Sequence, residues 1–150
     1  MSEYVYTAGA MEHVSEQDML GWRGQVEDFL ADYYIDCLHP TRRVPIHSEA
    51  RDNDLSTFNR LKRIEAQDML DIKNSKVVLA DLRDSMPGKK WGTVIEVAKA
   101  SDWGKIVIVL VDPEQFKHPF IYTYATEVHY DLQEAMDAVL SYYDMEGYED

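Results

Sequence analysis

The run Ile-Val-Ile-Val-Leu-Val at residues 106–111 is aliphatic at every position. A strand with one wet face alternates apolar and polar residues, because successive side chains point to opposite faces. A strand without alternation is buried on both faces, the environment of a parallel sheet covered by helices on each side. The run is also the longest apolar stretch in the chain, and it is far too short to span a bilayer.

The rest of the chain supplies matching elements. Residues 4–7 are a short β-prone run that ends in Ala8-Gly9-Ala10, a small-residue turn. Residues 15–33 read as an amphipathic helix. Ser15 is its N-cap, with Asp18 three residues on, and Met19, Trp22, Val26, Phe29, Leu30 and Tyr33 repeat at helical spacing. A second strand is expected at 34–38. Residues 39–53 hold Pro40, Pro45 and little apolar content, so they form a loop. It is long for a compact domain, and such loops are often functional. A helix over 54–73 has Phe58, Leu61, Ile64 and Ile72 as its inner stripe, and an apolar strand follows at 77–82. Residues 83–92, with Pro87, Gly88 and Gly92, form a loop before a short helix at 93–101. The last amphipathic helix is 132–143, with Leu132, Ala135, Met136, Val139 and Leu140 on one side.

Alternating strands and helices imply a single α/β domain. The expected architecture is a flavodoxin- or Rossmann-like parallel sheet of about five strands with helices on both faces. Ligands of such sheets bind beyond the carboxyl ends of the strands, which draws attention to the loops 8–14, 39–53 and 83–92.

Composition narrows the partners. The 150 residues make one domain, 1–150, ending in an acidic tail over about 144–150 that contains Asp144, Glu146, Glu149 and Asp150. Acidic residues outnumber basic ones 28 to 15, for a formal charge of −13. That excludes a nucleic-acid polymer as the main partner, since phosphate neutralisation needs a basic surface. A single nucleotide needs only a local pocket of donors and stays open. Met1-Ser2-Glu3 lacks the basic start and apolar stretch of a secretory signal. Cys37 is the only cysteine, so no internal disulfide or cysteine zinc cluster forms. A soluble protein of the reducing cytoplasm, with no membrane partner, is expected.

Glu96 falls in the first turn of the expected helix at 93–101. Thr93-x-x-Glu96 is a capping box, and acids are favoured in first turns. The same position delivers a carboxylate to the strand-end crevice, so a structural and a chemical role both stand. Asp68 falls between Leu61, Ile64 and Ile72 on the apolar stripe of its helix. A carboxylate there is paired (with Lys62 or Arg63 nearby), protonated, or at the edge of a cavity. Tyr6 precedes the small-residue turn and by itself reads as a packing residue. Among the basic residues of the ligand-facing loops, Arg42, Arg43, Lys89 and Lys90, most exposed pairs are simply solvated; Arg42 and Lys90 are the candidates for substrate contact. The five histidines are scattered without metal-ligand spacing. No GxGxxG, Walker A or GxSxG pattern is present. Neither a metal nor a cofactor is expected.

Taken in order, these residues resemble a known family. Tyr4-Val5-Tyr6-Thr7-Ala8-Gly9-Ala10-Met11, Trp22-Arg23, Asp68-x-x-x-Ile72, Val77-Val78-Leu79-Ala80, Gly92-Thr93-x-x-Glu96-x-x-x-Ala100 and Gly104-Lys105 before a strand are similar to the nucleoside 2-deoxyribosyltransferases and their relatives, the deoxynucleoside 5'-monophosphate N-glycosidases. The resemblance implies that Glu96 is the nucleophile that attacks the anomeric carbon and forms a deoxyribosyl ester. It implies that Tyr6 orients that carboxylate, that Asp68 protonates the leaving base, and that Gly9 and Met11 line sugar and base. The implied activity is cleavage of the N-glycosidic bond of a 2'-deoxynucleoside and transfer of the sugar to another free nucleobase. The first alternative is hydrolysis of a 2'-deoxynucleoside 5'-monophosphate; the second is a nucleotide-binding protein without turnover.

The departures from the pattern concern the sugar's 5'-group. Lys90, beside Lys89, stands six positions before Glu96, where transferases carry an acid for the 5'-hydroxyl; a lysine suits a phosphate better. Ser85 is the candidate phosphate serine, at a different spacing. Lys76 replaces an acid before the strand at Val77. The resemblance also implies a homodimer or larger homo-oligomer. Tyr122, Tyr124, Tyr130, Tyr142 and Tyr143 are candidates for such an interface, although core packing is the commoner fate for some.

Overall fold

The computed structural model describes residues 3–10, 16–40, 55–88 and 90–144. In chain order they form β1 (Glu3–Gly9), α1 (Glu16–Ala31), β2 (Ile35–Leu38), α2 (Leu55–Asn74), β3 (Val77–Asp81), α3 (Trp91–Asp102), β4 (Ile106–Leu110), α4 (Pro119–Tyr124), β5 (Glu127–His129) and α5 (Leu132–Asp144). The strands make one five-stranded sheet in the order β2-β1-β3-β4-β5, and every pairing is parallel. This is the α/β architecture expected from the sequence. The chain begins at β1, steps to β2, and returns past β1 to β3. That reversal opens a crevice between the carboxyl ends of β1 and β3.

Side-chain alternation divides each inner strand between two cores. Val77 and Leu79 of β3, with Ile108 and Leu110 of β4, pack on Trp22, Val26 and Leu30 of α1 and Ala135, Met136 and Val139 of α5. Val78 and Ala80, with Val107 and Val109, pack on Ile72 of α2 and Val97 and Ala100 of α3. Both faces are thus covered, which is why residues 106–111 carry no polar alternation. No helix among the described residues is long and apolar enough to cross a membrane.

Several local expectations need correction. The first helix stops at Ala31. Tyr34 has a left-handed backbone (φ 61°) in the turn that follows, so β2 starts at Ile35 and Tyr33 lies outside the core. Phe58, expected on the inner stripe of α2, is 57% exposed, and the buried residues of that helix are Asp71 and Ile72. The 83–92 loop ends early, because α3 begins at Trp91 with Lys90 as its N-cap and no side-chain capping bond. Glu96 therefore sits in the second turn, and the Thr93–Glu96 capping box does not form. Two elements escaped the sequence reading. Strand β5 joins the sheet edge, where Val111 N donates to His129 O at 3.0 Å. Helix α4 starts where the His118 ring accepts from Phe120 N at 3.1 Å. Ser15 lies outside the described residues.

The C-terminal tyrosines make contacts within the chain. The Tyr143 hydroxyl donates to the Tyr4 carbonyl at 2.6 Å, and that of Tyr142 donates to Glu127. Tyr124 packs on Phe120 with ring centroids 5.1 Å apart, while Tyr130 is half exposed.

Candidate active site

Strand β1 lies inside the sheet between β2 and β3, and its side chains at Tyr6 and Ala8 face α2 and α3. Tyr6 is therefore fully buried on that side. Its hydroxyl donates to Oε2 of Glu96 at 2.5 Å. Glu96 stands beside the buried face of α3, formed by Thr93, Val97 and Ala100, which packs against the sheet. The residue is partly exposed, yet burial is the strongest influence on its carboxylate, so the polar end is the sunken one.

Burial pushes the Glu96 carboxyl up to about 7; the Tyr6 hydrogen bond and the Arg23 charge pull it down, and Asp68 pushes it further up. The carboxyl is thus poised between acid and carboxylate near neutral pH. The Tyr6 phenol is driven well above its ordinary range by burial, then by Glu96 and Asp68. It remains a proton donor wherever the fold persists. Asp68, partly buried on α2, acts electrostatically on both partners. The three residues that the sequence singled out for catalysis thus meet at one place.

A fourth residue was not anticipated. Arg23 of α1 is only 1% exposed. Its Nη2 donates to the Gly9 carbonyl at 3.0 Å, and its guanidinium carbon lies 4.9 Å from the centroid of the Trp22 ring. Burial lowers its pKa to about 10, with Glu96 and Asp81 among the charges that oppose this, so it is a cation at neutral pH. The signal was available: Arg23 lies three residues before Val26 and seven before Leu30, on the buried stripe of α1. The wheel that marks Asp68 marks Arg23 too.

Gly9 makes this approach possible. A β-carbon there would stand 2.6 Å from Cζ2 of Trp22 and 3.2 Å from Nη2 of Arg23. Gly9 pairs in register with Asp81 at the end of β3. Asp81 is buried and held by Arg83, whose Nε and Nη2 donate to its two oxygens at 2.9 and 2.8 Å.

The loop between β3 and α3 is tied down from within. Ser85 donates its N–H and its hydroxyl to Asp112, at 2.7 and 2.9 Å. The Lys90 ammonium donates to the carbonyls of Met86 and Gly88, at 3.0 and 3.3 Å. Gly92 is exposed in the first turn of α3. At the end of β2, buried His39 bonds the Thr7 hydroxyl through Nδ1 and approaches Glu27 with Nε2, at 3.3 Å. Met11, Arg42, Arg43, Lys89 and most of the 39–53 loop lie outside the described residues. A cavity of about 500 Å³ opens over the strand ends between α1 and α5, with Trp22, Gln25, Arg83, Met86 and Tyr130 in its wall.

A carboxylate held by a buried phenol, beside a second carboxyl group at a strand-end crevice, has the parts for glycosyl chemistry. No family model matches the chain, and no curated protein matches it in sequence. Solved structures do match. A 2-deoxyribosyltransferase from Bacillus psychrosaccharolyticus superposes with a TM-score of 0.65 over 89% of this chain and 90% of its own, at 16% identity. The chain has the fold of that deoxyribosyltransferase. A CMP N-glycosidase from Clostridium botulinum shares this fold with a TM-score of 0.56, over 93% of this chain and 99% of its own, at 16% identity. So does a conserved protein from Enterococcus faecalis, with a TM-score of 0.59 over 91% and 96%, at 13% identity.

Proposed function

We propose that this protein is a nucleoside 2-deoxyribosyltransferase that cleaves the N-glycosidic bond of a 2'-deoxynucleoside through a covalent ester on Glu96. The observation that carries this reading is the 2.5 Å hydrogen bond from the buried Tyr6 phenol to the Glu96 carboxylate. The transition state is cation-like at the sugar ring, so a carboxylate held against it both stabilises and traps it. Tyr6 engages Oε2 and leaves Oε1 to form the bond to C1'. The C1'–N bond breaks with its electron pair going to the base, which takes a proton from Asp68. A second base then attacks C1' through a ring nitrogen, the Glu96 carboxylate departs, and the incoming base's proton returns to Asp68.

The described part of the β3–α3 loop supports a nucleoside more than a monophosphate. Ser85 donates to Asp112 and Lys90 to backbone carbonyls, so each already has a partner within the chain. The second reading, an N-glycosidase acting on a 5'-monophosphate, is favoured by the likeness to the CMP N-glycosidase over nearly the whole of both chains. In that case water replaces the acceptor base, and Lys90 turns to the phosphate. We also propose a cytoplasmic homo-oligomer. Phe58 of α2 and Trp91 and Ile95 of α3 are large exposed apolar groups on two helices that pack together, as a subunit interface would require.

Chromatography of free base released from deoxynucleosides and from their monophosphates, with and without an acceptor base, decides between the readings. Transfer needs an acceptor base and yields a new nucleoside. Glu96→Gln abolishes release while the protein stays folded; activity retained in that variant removes Glu96 from the mechanism.

A further inference from the structure

We infer that the cavity between α1 and α5 is a second ligand site, one that takes an uncharged nucleobase ring and stands apart from Tyr6 and Glu96. The site goes beyond the proposed reaction and does not depend on Glu96 as nucleophile.

The two places lie on opposite faces of the sheet. Tyr6 packs with α2 and α3, whereas the cavity is walled by α1, the loop after β3 and the start of α5. Its inner end is Trp22, which closes on Gly9. Gly9 lies three residues beyond Tyr6, about 10 Å along the strand. A base still joined to a sugar held at Glu96 would not span that length and cross to the other face, so a ring in the cavity belongs to a second molecule.

The shape of the wall suits a flat ring. Its volume of about 500 Å³ falls in the range of small-molecule sites. Gln17, Gly21 and Gln25 follow one another at every fourth position of α1, and all three line the cavity, so two carboxamides flank a gap. A β-carbon at Gly21 would meet no atom within 4 Å. The helix thus leaves a floor on which a ring can approach the backbone. Tyr130, half exposed at the other side, supplies an aromatic face of the kind on which bases stack. Met86 adds a polarisable thioether, which favours aromatic contact.

Two polar groups are already aimed by the fold. Arg83 gives Nε and Nη2 to Asp81 at 2.9 and 2.8 Å, which fixes its plane and leaves Nη1 without a bond among the described residues. Asp131 uses Oδ2 to accept from Glu134 N at 3.1 Å, which leaves Oδ1 as an acceptor. A fixed donor and a fixed acceptor, with carboxamides that are both, match the edge of a base, where carbonyls and ring nitrogens stand beside N–H groups. Charge narrows the ligand further. Arg83 is the one cation of the wall among the described residues, and it faces the carboxylates of Asp81 and Asp131. A phosphate would meet a surplus of negative charge there; a neutral ring would not.

Met86 is the reporter for the test. The protein is labelled with carbon-13 in its methionine methyls, and the Met86 signal is assigned by its loss in Met86→Leu. Uracil, hypoxanthine, uridine, inorganic phosphate and 2-deoxyribose 5-phosphate are titrated in separately. Both free bases should move the Met86 methyl saturably, and the two phosphates should leave it in place. Tyr130→Ala, at an exposed position, should weaken the bases about five- to a hundredfold, as losing one stacking partner does. Gly21→Leu fills the floor and should abolish the shift. Uracil at least as tight as uridine assigns the free base as ligand, and uridine alone assigns the nucleoside. A Met86 signal that neither uracil, hypoxanthine nor uridine moves, or one that responds equally in wild type and both variants, overturns the inference; so does saturation by phosphate. A responding Met86 in a protein that releases no base removes the proposed reaction and leaves this site, and base release with an unmoved Met86 does the reverse.

Discussion

Tyr6 and Glu96 are ninety residues apart in sequence, and 2.5 Å separates their oxygens. The pairing depends on two facts of the fold. Strand β1 is an inner strand, between β2 and β3, and Tyr6 on it has no route to water. Helix α3 begins at Trp91, so Glu96 is free of capping duty and accepts from Tyr6. A phenol whose own ionisation is suppressed by burial is a fixed donor. It holds one carboxylate oxygen and leaves the other available for attack.

Tyr6→Phe removes that donor and leaves the ring. A hydrogen bond to a charged group contributes about 1.5–3 kcal/mol, so kcat should fall by roughly ten- to a hundredfold. The bond also favours the ionised carboxylate. Its loss moves the ascending limb of the pH–rate profile upward from its expected position near 7. A steady-state pH series on both proteins checks the two effects together; a rate loss without the upward displacement would mean that Tyr6 only packs.

Glu96 should also cost stability at the pH where it works. Its folded pKa is about 7, against an ordinary value of 4.5. Below 4.5 the group is protonated in both states and imposes no penalty; as pH rises through 7 the native state must hold a buried charge, and stability is lost. Glu96→Gln, neutral at every pH, should therefore match the wild type at pH 4 and exceed it at pH 8. The gain is about 3 kcal/mol, or roughly 6–12 °C in Tm for a chain of this length. Thermal melts of the two proteins at both pH values test this, and equal differences at pH 4 and 8 would contradict it.

Much of this was legible in the sequence, for identifiable reasons. The unalternating strand at 106–111 foretold a sheet covered on both faces, because a buried strand has no polar side to record. Asp68 betrayed itself as a charge on an apolar stripe, and Arg23 carried the same signature. Other features had no local signal. Glu127–His129 is three residues long with polar ends, and only β4 makes it a strand. Helix α4 is shorter than two full turns, too short for any periodicity to register. The Thr93–Glu96 spacing gave a misleading signal: it satisfies a capping box, but α3 starts two residues earlier, at Trp91. The meeting of Tyr6, Glu96 and Arg23 belongs to topology, which spacing along one element does not contain.

Asp68→Asn should displace the pH profile in the opposite direction from Tyr6→Phe. Asp68 raises the Glu96 carboxyl by repulsion, so removing its charge lets Glu96 ionise at lower pH and moves the ascending limb down. The rate falls as well, because the departing base loses its proton source; general acid catalysis is worth about 10²–10⁴-fold. The loss should shrink for 7-methylguanine deoxyribonucleoside, whose base already carries the positive charge that protonation would supply. Equal losses for the methylated and unmethylated substrates would remove Asp68 as the acid.

Gly9→Ala tests the architecture that brings Arg23 to the strand end. The added β-carbon would lie 2.6 Å from Trp22 Cζ2 and 3.2 Å from Arg23 Nη2. Trp22 is buried in the core between α1 and the sheet, so its ring has little room to withdraw, and the overpacking should cost about 1–3 kcal/mol. Displacing Trp22 and Arg23 should also weaken the 3.0 Å bond to the Gly9 carbonyl and lower activity by more than the loss of folded protein explains. Gly24→Ala is the control. It lies one residue from Arg23 on the same helix, and a β-carbon there meets nothing within 4 Å, so it should stabilise α1 by about 0.8–1 kcal/mol through helix propensity. Urea melts of the two variants should move in opposite directions. A Gly9→Ala protein as stable and active as the wild type would show that Trp22 and Arg23 do not close on β1 as described.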